Sequence, residues 1–98
     1  MSESTEHPKR RNDVNVRILD GEVVVLDRQA GLIHQLNQTA SYIWDRCDGQ
    51  STVAAIANQL AAAFDVDANT AVQDVTTAIM QLHRLGLIES SNNSSRNL

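Results

Sequence analysis

At Asn37 the hydrophobic period of this chain changes from that of a strand to that of a helix, and the change sets the class of fold it can adopt. Upstream, Val14, Val16 and Ile18 alternate with polar residues. Asp20-Gly21 follows, and the chain returns through Val23-Val24-Val25-Leu26 to Asp27. An Asp-Gly pair between two β-rich runs predicts a hairpin, because a type I′ turn needs positive φ at both central residues. The return run is apolar on both faces, as in a central strand. Arg28 to Ala30 reads as a second turn, and Gly31 opens a third strand that ends at Leu36.

Downstream the spacing is helical. Asn37 is a good N-cap, because its side chain can accept from a free first-turn amide. Ala40, Ile43, Trp44 and Cys47 share one helix face, and Gly49 offers a left-handed stop. Ser51 or Thr52 caps a second helix that buries Val53, Ile56, Ala57, Leu60 and Phe64. Asp67 caps a third that buries Val72, Val75, Ile79 and Leu82. Gly86 suits the residue after that helix, with Leu87 folding back onto Leu82. The prediction is an α+β domain: a three-stranded antiparallel β-meander followed by three α-helices, each layer hiding the other's apolar face.

Ninety-eight residues make one domain. The polar stretches 1–13 and 90–98 hold too little apolar surface to offset their ordering, which leaves residues 14–89 as the folded part and the ends as disordered tails. The net charge is −4. Lys9-Arg10-Arg11 lies in the N-terminal tail and reads as solvated. From Val14 to Glu89 the bases are Arg17, Arg28, Arg46 and Arg84, against a clear excess of acids. That balance argues against nucleic acid, whose phosphates demand basic surface. A single cysteine permits no internal disulfide and suits a reducing compartment. With no apolar run long enough for a bilayer and no secretory signal pattern, the expected location is the cytoplasm.

The third strand is the leading candidate for function. In a meander it lies at an edge, and Leu32-Ile33-His34-Gln35-Leu36 carries neither charge nor proline, the usual devices that blunt an edge. Such an edge suits the addition of an extended peptide. On the third helix, Thr76, Met80 and His83 lie beside the buried stripe that contains Ile79, and they read as the opposite wall of a groove. Catalysis has little support. Cys47 lies on the apolar face of its helix, the histidines are dispersed, and no phosphate loop or metal-ligand spacing is present, so neither cofactor nor metal is expected.

The ordered set Val25-Leu26-Asp27, Gly31, Leu36-Asn37, Thr39, Ile43-Trp44, Cys47-Asp48-Gly49, Val53, Ile56, Asp74, Leu82 and Gly86-Leu87 resembles the PqqD-like family of peptide-binding proteins, also called RiPP recognition elements. The resemblance covers roughly residues 14 to 89 and implies a winged-helix-like fold. It also implies a non-enzymatic peptide chaperone of natural-product biosynthesis. Such a chaperone binds the leader of a ribosomally made precursor between the third strand and third helix, and presents it to a modifying enzyme, often a radical-SAM protein. The stretch His34-Gln35-Leu36-Asn37 is similar to the small leader-binding proteins of lasso-peptide pathways. A homodimeric structural or regulatory module joined through the same edge strand remains an alternative. DNA binding is a more distant one, since the third helix offers Arg84 with Gln73 and Gln81 but also Asp74.

Overall fold

The computed structural model describes residues 7–90; residues 1–6 and 91–98, the outer parts of the two expected tails, lie outside that range. The elements are β1 (Pro8–Arg10), β2 (Asn15–Leu19), β3 (Glu22–Asp27), β4 (Leu32–Gln35), α1 (Gln38–Asp45), α2 (Val53–Phe64), α3 (Ala68–Arg84) and β5 (Ile88–Ser90). The expected meander is present as an antiparallel sheet of order β2-β3-β4, followed by three helices. Asp20 and Gly21 have φ of 52° and 81°, the type I′ signature.

This turn sets the register of β2 against β3. Leu19 opposes Glu22, so Val16 opposes Val25 and Ile18 opposes Val23. On the other side Val25 opposes His34 and Asp27 opposes Leu32. Val23, Val25 and Asp27 therefore share the inner face with Leu36, and all four are buried. Ser41 of α1 is built into the ladder: its hydroxyl accepts from the Val23 amide at 2.9 Å and donates to the Leu36 carbonyl at 3.0 Å. One buried side chain thus completes two backbone partnerships and fastens α1 to the sheet.

The caps follow local chemistry. The side chains of Asn37, Thr52 and Asp67 accept from the amides of Ala40, Ala55 and Thr70. At the end of α3, Leu87 N donates to Leu82 O at 2.9 Å and Gly86 N to His83 O at 3.0 Å, a Schellman ending that buries Leu87.

Four features differ from the sequence reading. First, α1 stops at Asp45, and residues 47–49 do not extend it. Cys47 O accepts from Arg10 N, and Gly49 N donates to Pro8 O, so this stretch pairs with β1 instead. Second, the N-terminal segment joins the fold from Pro8 onward. β1 pairs antiparallel with β5, Lys9 opposite Glu89, and Pro8 is fully buried. Third, Arg10 and Arg11 of the basic triplet are engaged. Arg10 lies 5.6 Å from the Trp44 ring centroid and donates to Asp45 O at 2.6 Å. Arg11 pairs with Asp27 and Asp13, each at 2.9 Å, and donates to Gly86 O at 3.1 Å. Fourth, the apolar stripes shift. Ala71 and Ala78 join Val75, Ile79 and Leu82 in the core, where a small side chain lets helices approach closely, while Val72 and Phe64 are partly exposed.

Candidate functional site

β4 is an unblunted edge. Leu32 is 51% exposed and Ile33 70%, Gln35 is exposed, His34 is half-buried and Leu36 is buried. The register tells which backbone groups are open. Leu36 N donates to Val23 O at 2.8 Å. Antiparallel pairs alternate, so Leu36, His34 and Leu32 direct their amides and carbonyls toward β3, and Ile33 and Gln35 direct theirs away from the sheet. Side chains alternate in the other sense. Ile33 and Gln35 lie on the outer face, where Gln35 Nε2 donates to Glu22 Oε1 at 3.0 Å. Leu32 and His34 lie on the inner face, and His34 Nε2 is buried without a hydrogen-bond partner. A buried polar atom left this way carries a desolvation cost that an incoming acceptor or donor would relieve.

α3 is tied to the surroundings of β4 at two places. Near its C-terminal end, Arg11 bonds both Gly86 O and Asp27, the residue opposite Leu32. Near its middle, an open cavity of about 320 Å³ separates it from the β4–α1 junction. Asn37, Thr39 and Ala40 line one side of this cavity; Asp74, Thr77, Ala78 and Gln81 line the other. It is a polar, hydroxyl-rich space with one exposed carboxylate, Asp74.

The sequence-derived residues fall as follows. Leu32, Ile33, His34, Gln35 and Leu36 come together on the edge strand or just beyond it. Ile79 is in the core at 5% exposure. Thr76, Met80 and His83 are exposed, on the flank of the buried stripe away from the cavity residues Asp74, Ala78 and Gln81. The cavity residues of α3 were not singled out as a wall. A signal existed: the Asn37 cap brings the start of α1 to one side of α3, but hydrophobic spacing alone treats the two flanks alike.

The electrostatics hold the frame around the edge. The Ala30 amide, donating to Asp27 Oδ1 at 3.2 Å, and secondly the Arg11 guanidinium keep the Asp27 carboxyl below its usual range. Among the described residues there is no group of His, Cys, Asp and Glu side chains that could hold a metal. Cys47 is fully buried, with Sγ directed to Ile43 O at 3.2 Å, and lacks the exposure a nucleophile needs. No helix is long and apolar enough to cross a membrane among the described residues.

Comparison with known proteins agrees with this architecture. No protein of curated function matches the chain. Among solved structures it is similar to a lasso peptide synthetase B1 complexed with the leader peptide, at 26% identity over 85% of this chain and 98% of that one, with a TM-score of 0.74. It is also similar to TbiB1 in complex with the TbiA(beta) leader peptide, at 25% identity over 89% of this chain and 99% of that one, again with a TM-score of 0.74. The family model for coenzyme PQQ synthesis protein D (PqqD) matches residues 22–88, from the first residue of β3 to the first of β5. With the sheet edge, the three helices and the Gly86-Leu87 ending all inside that span, the chain belongs to the PqqD family.

Proposed function

We propose that this protein is a peptide chaperone: it binds the leader of a ribosomally synthesised precursor peptide as an added strand on β4 and presents the rest of the precursor to a separate modifying enzyme. The open β4 edge carries this reading. Ile33 and Gln35 offer their outward amides and carbonyls to a neighbouring strand, and both similar structures hold leader peptides.

The side chains would then divide the peptide by alternation. Leader residues on the inner face meet Leu32, His34 and the α3 flank of Asp74, Thr77, Ala78 and Gln81. Those on the outer face lie beside Ile33 and Gln35. Main-chain bonds contribute affinity without regard to sequence, and the inner groove selects. Ordering an unstructured leader opposes binding, so moderate affinity is expected. The benefit to chemistry is proximity: a tethered core peptide is presented at an effective concentration in the millimolar range or above. The protein's part is recognition; the bond-making groups belong to the enzyme, a radical-SAM protein or another maturation enzyme. The working location is the cytoplasm, where precursor and enzyme are made.

The test is an NMR titration of the ¹⁵N-labelled chain with leader peptides encoded by short genes beside its own. Saturable shifts at residues 31–37 and at Asp74, Thr77 and Gln81 are expected. Leader binding that shifts neither β4 nor α3 would move the site. No binding by any such peptide, together with a dimer that persists on dilution, would replace the chaperone reading with a self-association edge.

A further inference from the structure

The groove at β4 does not end with the strand. β4 stops at Gln35, and the polar cavity beyond it lies between the start of α1 and the middle of α3. A second, smaller cavity of about 110 Å³ adjoins it, bounded by Thr39, Leu60, Phe64, Val66 and Asp74. Thr39 and Asp74 line both, so the two spaces share a wall and lead from the middle of α3 toward its start. Their linings differ. The first is walled by hydroxyls and amides, whereas the second has the buried Leu60 at its base, with Val66 and the partly exposed Phe64 ring beside it.

The charge here has one sign. From Cys47 to His83 the chain holds Asp48, Asp65, Asp67 and Asp74, and neither lysine nor arginine. No basic residue lines either cavity. Asp48 and Asp67 are occupied by backbone amides, those of Gln50 and Ser51 and that of Thr70. Asp74 is exposed and has neither an ion pair nor a side-chain hydrogen bond among the described residues. The one opposing influence is the N-terminus of α1, equivalent to about half a positive charge. The Asn37 side chain already accepts from its Ala40 amide, and the full charge of Asp74 outweighs it. Thr39, Thr77 and Gln81 add acceptor oxygens around Asp74, while Ala40 and Ala78 offer small apolar surface. A long cationic side chain needs both, apolar surface for its stem and oxygens for its head. A phosphate, or the same acidic surface of a second copy, would be repelled.

We propose that this groove gives the leader a second anchor: beyond the segment that pairs with β4, a lysine or arginine reaches Asp74, and a neighbouring aliphatic side chain enters the cavity of Leu60, Phe64 and Val66. That the occupant is the leader rests on the chaperone reading and on the continuity of the polar cavity with the end of β4. An exposed ion pair contributes little affinity, but it chooses between peptides of opposite charge. The leaders this protein accepts then carry a basic–aliphatic pair next to their strand-forming stretch, and leaders that are acidic at that point are refused.

The probes are capped peptides of alternating threonine and valine with a lysine–leucine pair at one end. The pair stands at the N-terminus in one version and at the C-terminus in the other, so that either strand direction is served. Controls carry glutamate–leucine or lysine–serine, and each peptide is titrated into the ¹⁵N-labelled full chain. Expected for one lysine–leucine version are saturable shifts at residues 31–37 and at Thr39, Asp74, Thr77 and Val66. The glutamate control should bind about fivefold more weakly or worse, as attraction turns to repulsion, and the serine control should also bind more weakly. Asp74→Asn, at an exposed position, should erase the preference for lysine, and Asp74→Lys should reverse it. Equal affinity of the parent and either control, a preference that survives Asp74→Asn, or no shift at Asp74 with any probe would each overturn the proposal. Shifts along β4 without a charge preference remove this inference and keep the chaperone reading. A charge preference at Asp74 beside a silent β4 removes the chaperone reading and keeps the Asp74 site.

Discussion

The two edges of the sheet present the same backbone chemistry in different surroundings. β4 leads at its C-terminal end to a polar cavity walled by Asn37, Thr39, Asp74, Thr77 and Gln81. At the β2 edge, Ile18 borders a cleft in which Tyr42 and Phe64 meet edge-on and Gln38, Ser41 and Asp45 supply polar lining. Main-chain amides cannot distinguish one extended segment from another, so selectivity must come from what stands alongside each strand. α1 contributes Thr39 and Ala40 to the first cavity and Gln38, Ser41, Tyr42 and Asp45 to the second, so one helix gives the two edges different neighbourhoods.

The sharpest break of that comparison uses proline on adjacent β4 residues. Ile33→Pro removes an amide that points away from the sheet, so the fold should survive while leader affinity falls by about a hundredfold or more, as expected when edge bonds and the peptide's register are lost together. His34→Pro removes an amide that faces β3 and should cost about 1–3 kcal/mol of stability from the orphaned Val25 carbonyl, with further loss from strain. Calorimetry with circular dichroism reads both; a stable His34→Pro beside an unfolded Ile33→Pro would invert the register.

Ser41→Ala loosens one edge and spares the other. It strips the Val23 amide and the Leu36 carbonyl of their partner, at a cost of about 1–3 kcal/mol in chemical denaturation. Amide exchange should quicken at Val23 and Leu36 well before it does along β2. Uniform acceleration would mean the sheet opens as one unit.

On α3 the contrast is between flanks. Thr77→Tyr fills the cavity and should weaken leader binding about tenfold, a loss of roughly 1.4 kcal/mol. Met80→Glu, on the other flank, should leave it within about twofold, as surface changes away from a site usually do. The opposite ranking by isothermal titration would carry the peptide over the helix to Thr76, Met80 and His83.

The smallest effect is a pH dependence at the frame. Asp27 has a depressed folded pKa, so its contribution to stability is present above the ordinary carboxylate value of 3.8 and is lost as pH falls below it. Melting temperature should therefore drop on acidification below about pH 4, and Asp27→Asn should reduce that dependence; an unchanged profile would assign the acid sensitivity to Asp13, Asp48 and Asp67, which are also depressed.

What was legible in the sequence was local. Asp20-Gly21, the caps Asn37 and Asp67, and the Gly86-Leu87 ending each depend on neighbours within a few residues, and each is found where the residues indicate. The edge strand was legible for the same reason, but its outward residues were not, because residues 28–31 join it to β3 and the two-residue turn fixes only β2 against β3. What was hidden depends on distant partners. Nothing near Pro8 announces that it pairs with residues some eighty positions away. Arg11 looks like part of a basic run until Asp27 and Gly86 are brought beside it. The flank of α3 that meets α1 is likewise decided by tertiary approach, which hydrophobic spacing, treating both flanks alike, does not contain.

The pairing of β1 with β5 carries one more consequence. Pro8 stands opposite Ser90, which puts the chain's way in and its way out about 5 Å apart at the level of paired α-carbons. A domain with adjoining ends can be spliced into a surface loop of a larger protein without stretching the host or unpicking the guest. The same fold can therefore stand alone or be carried as an inserted module.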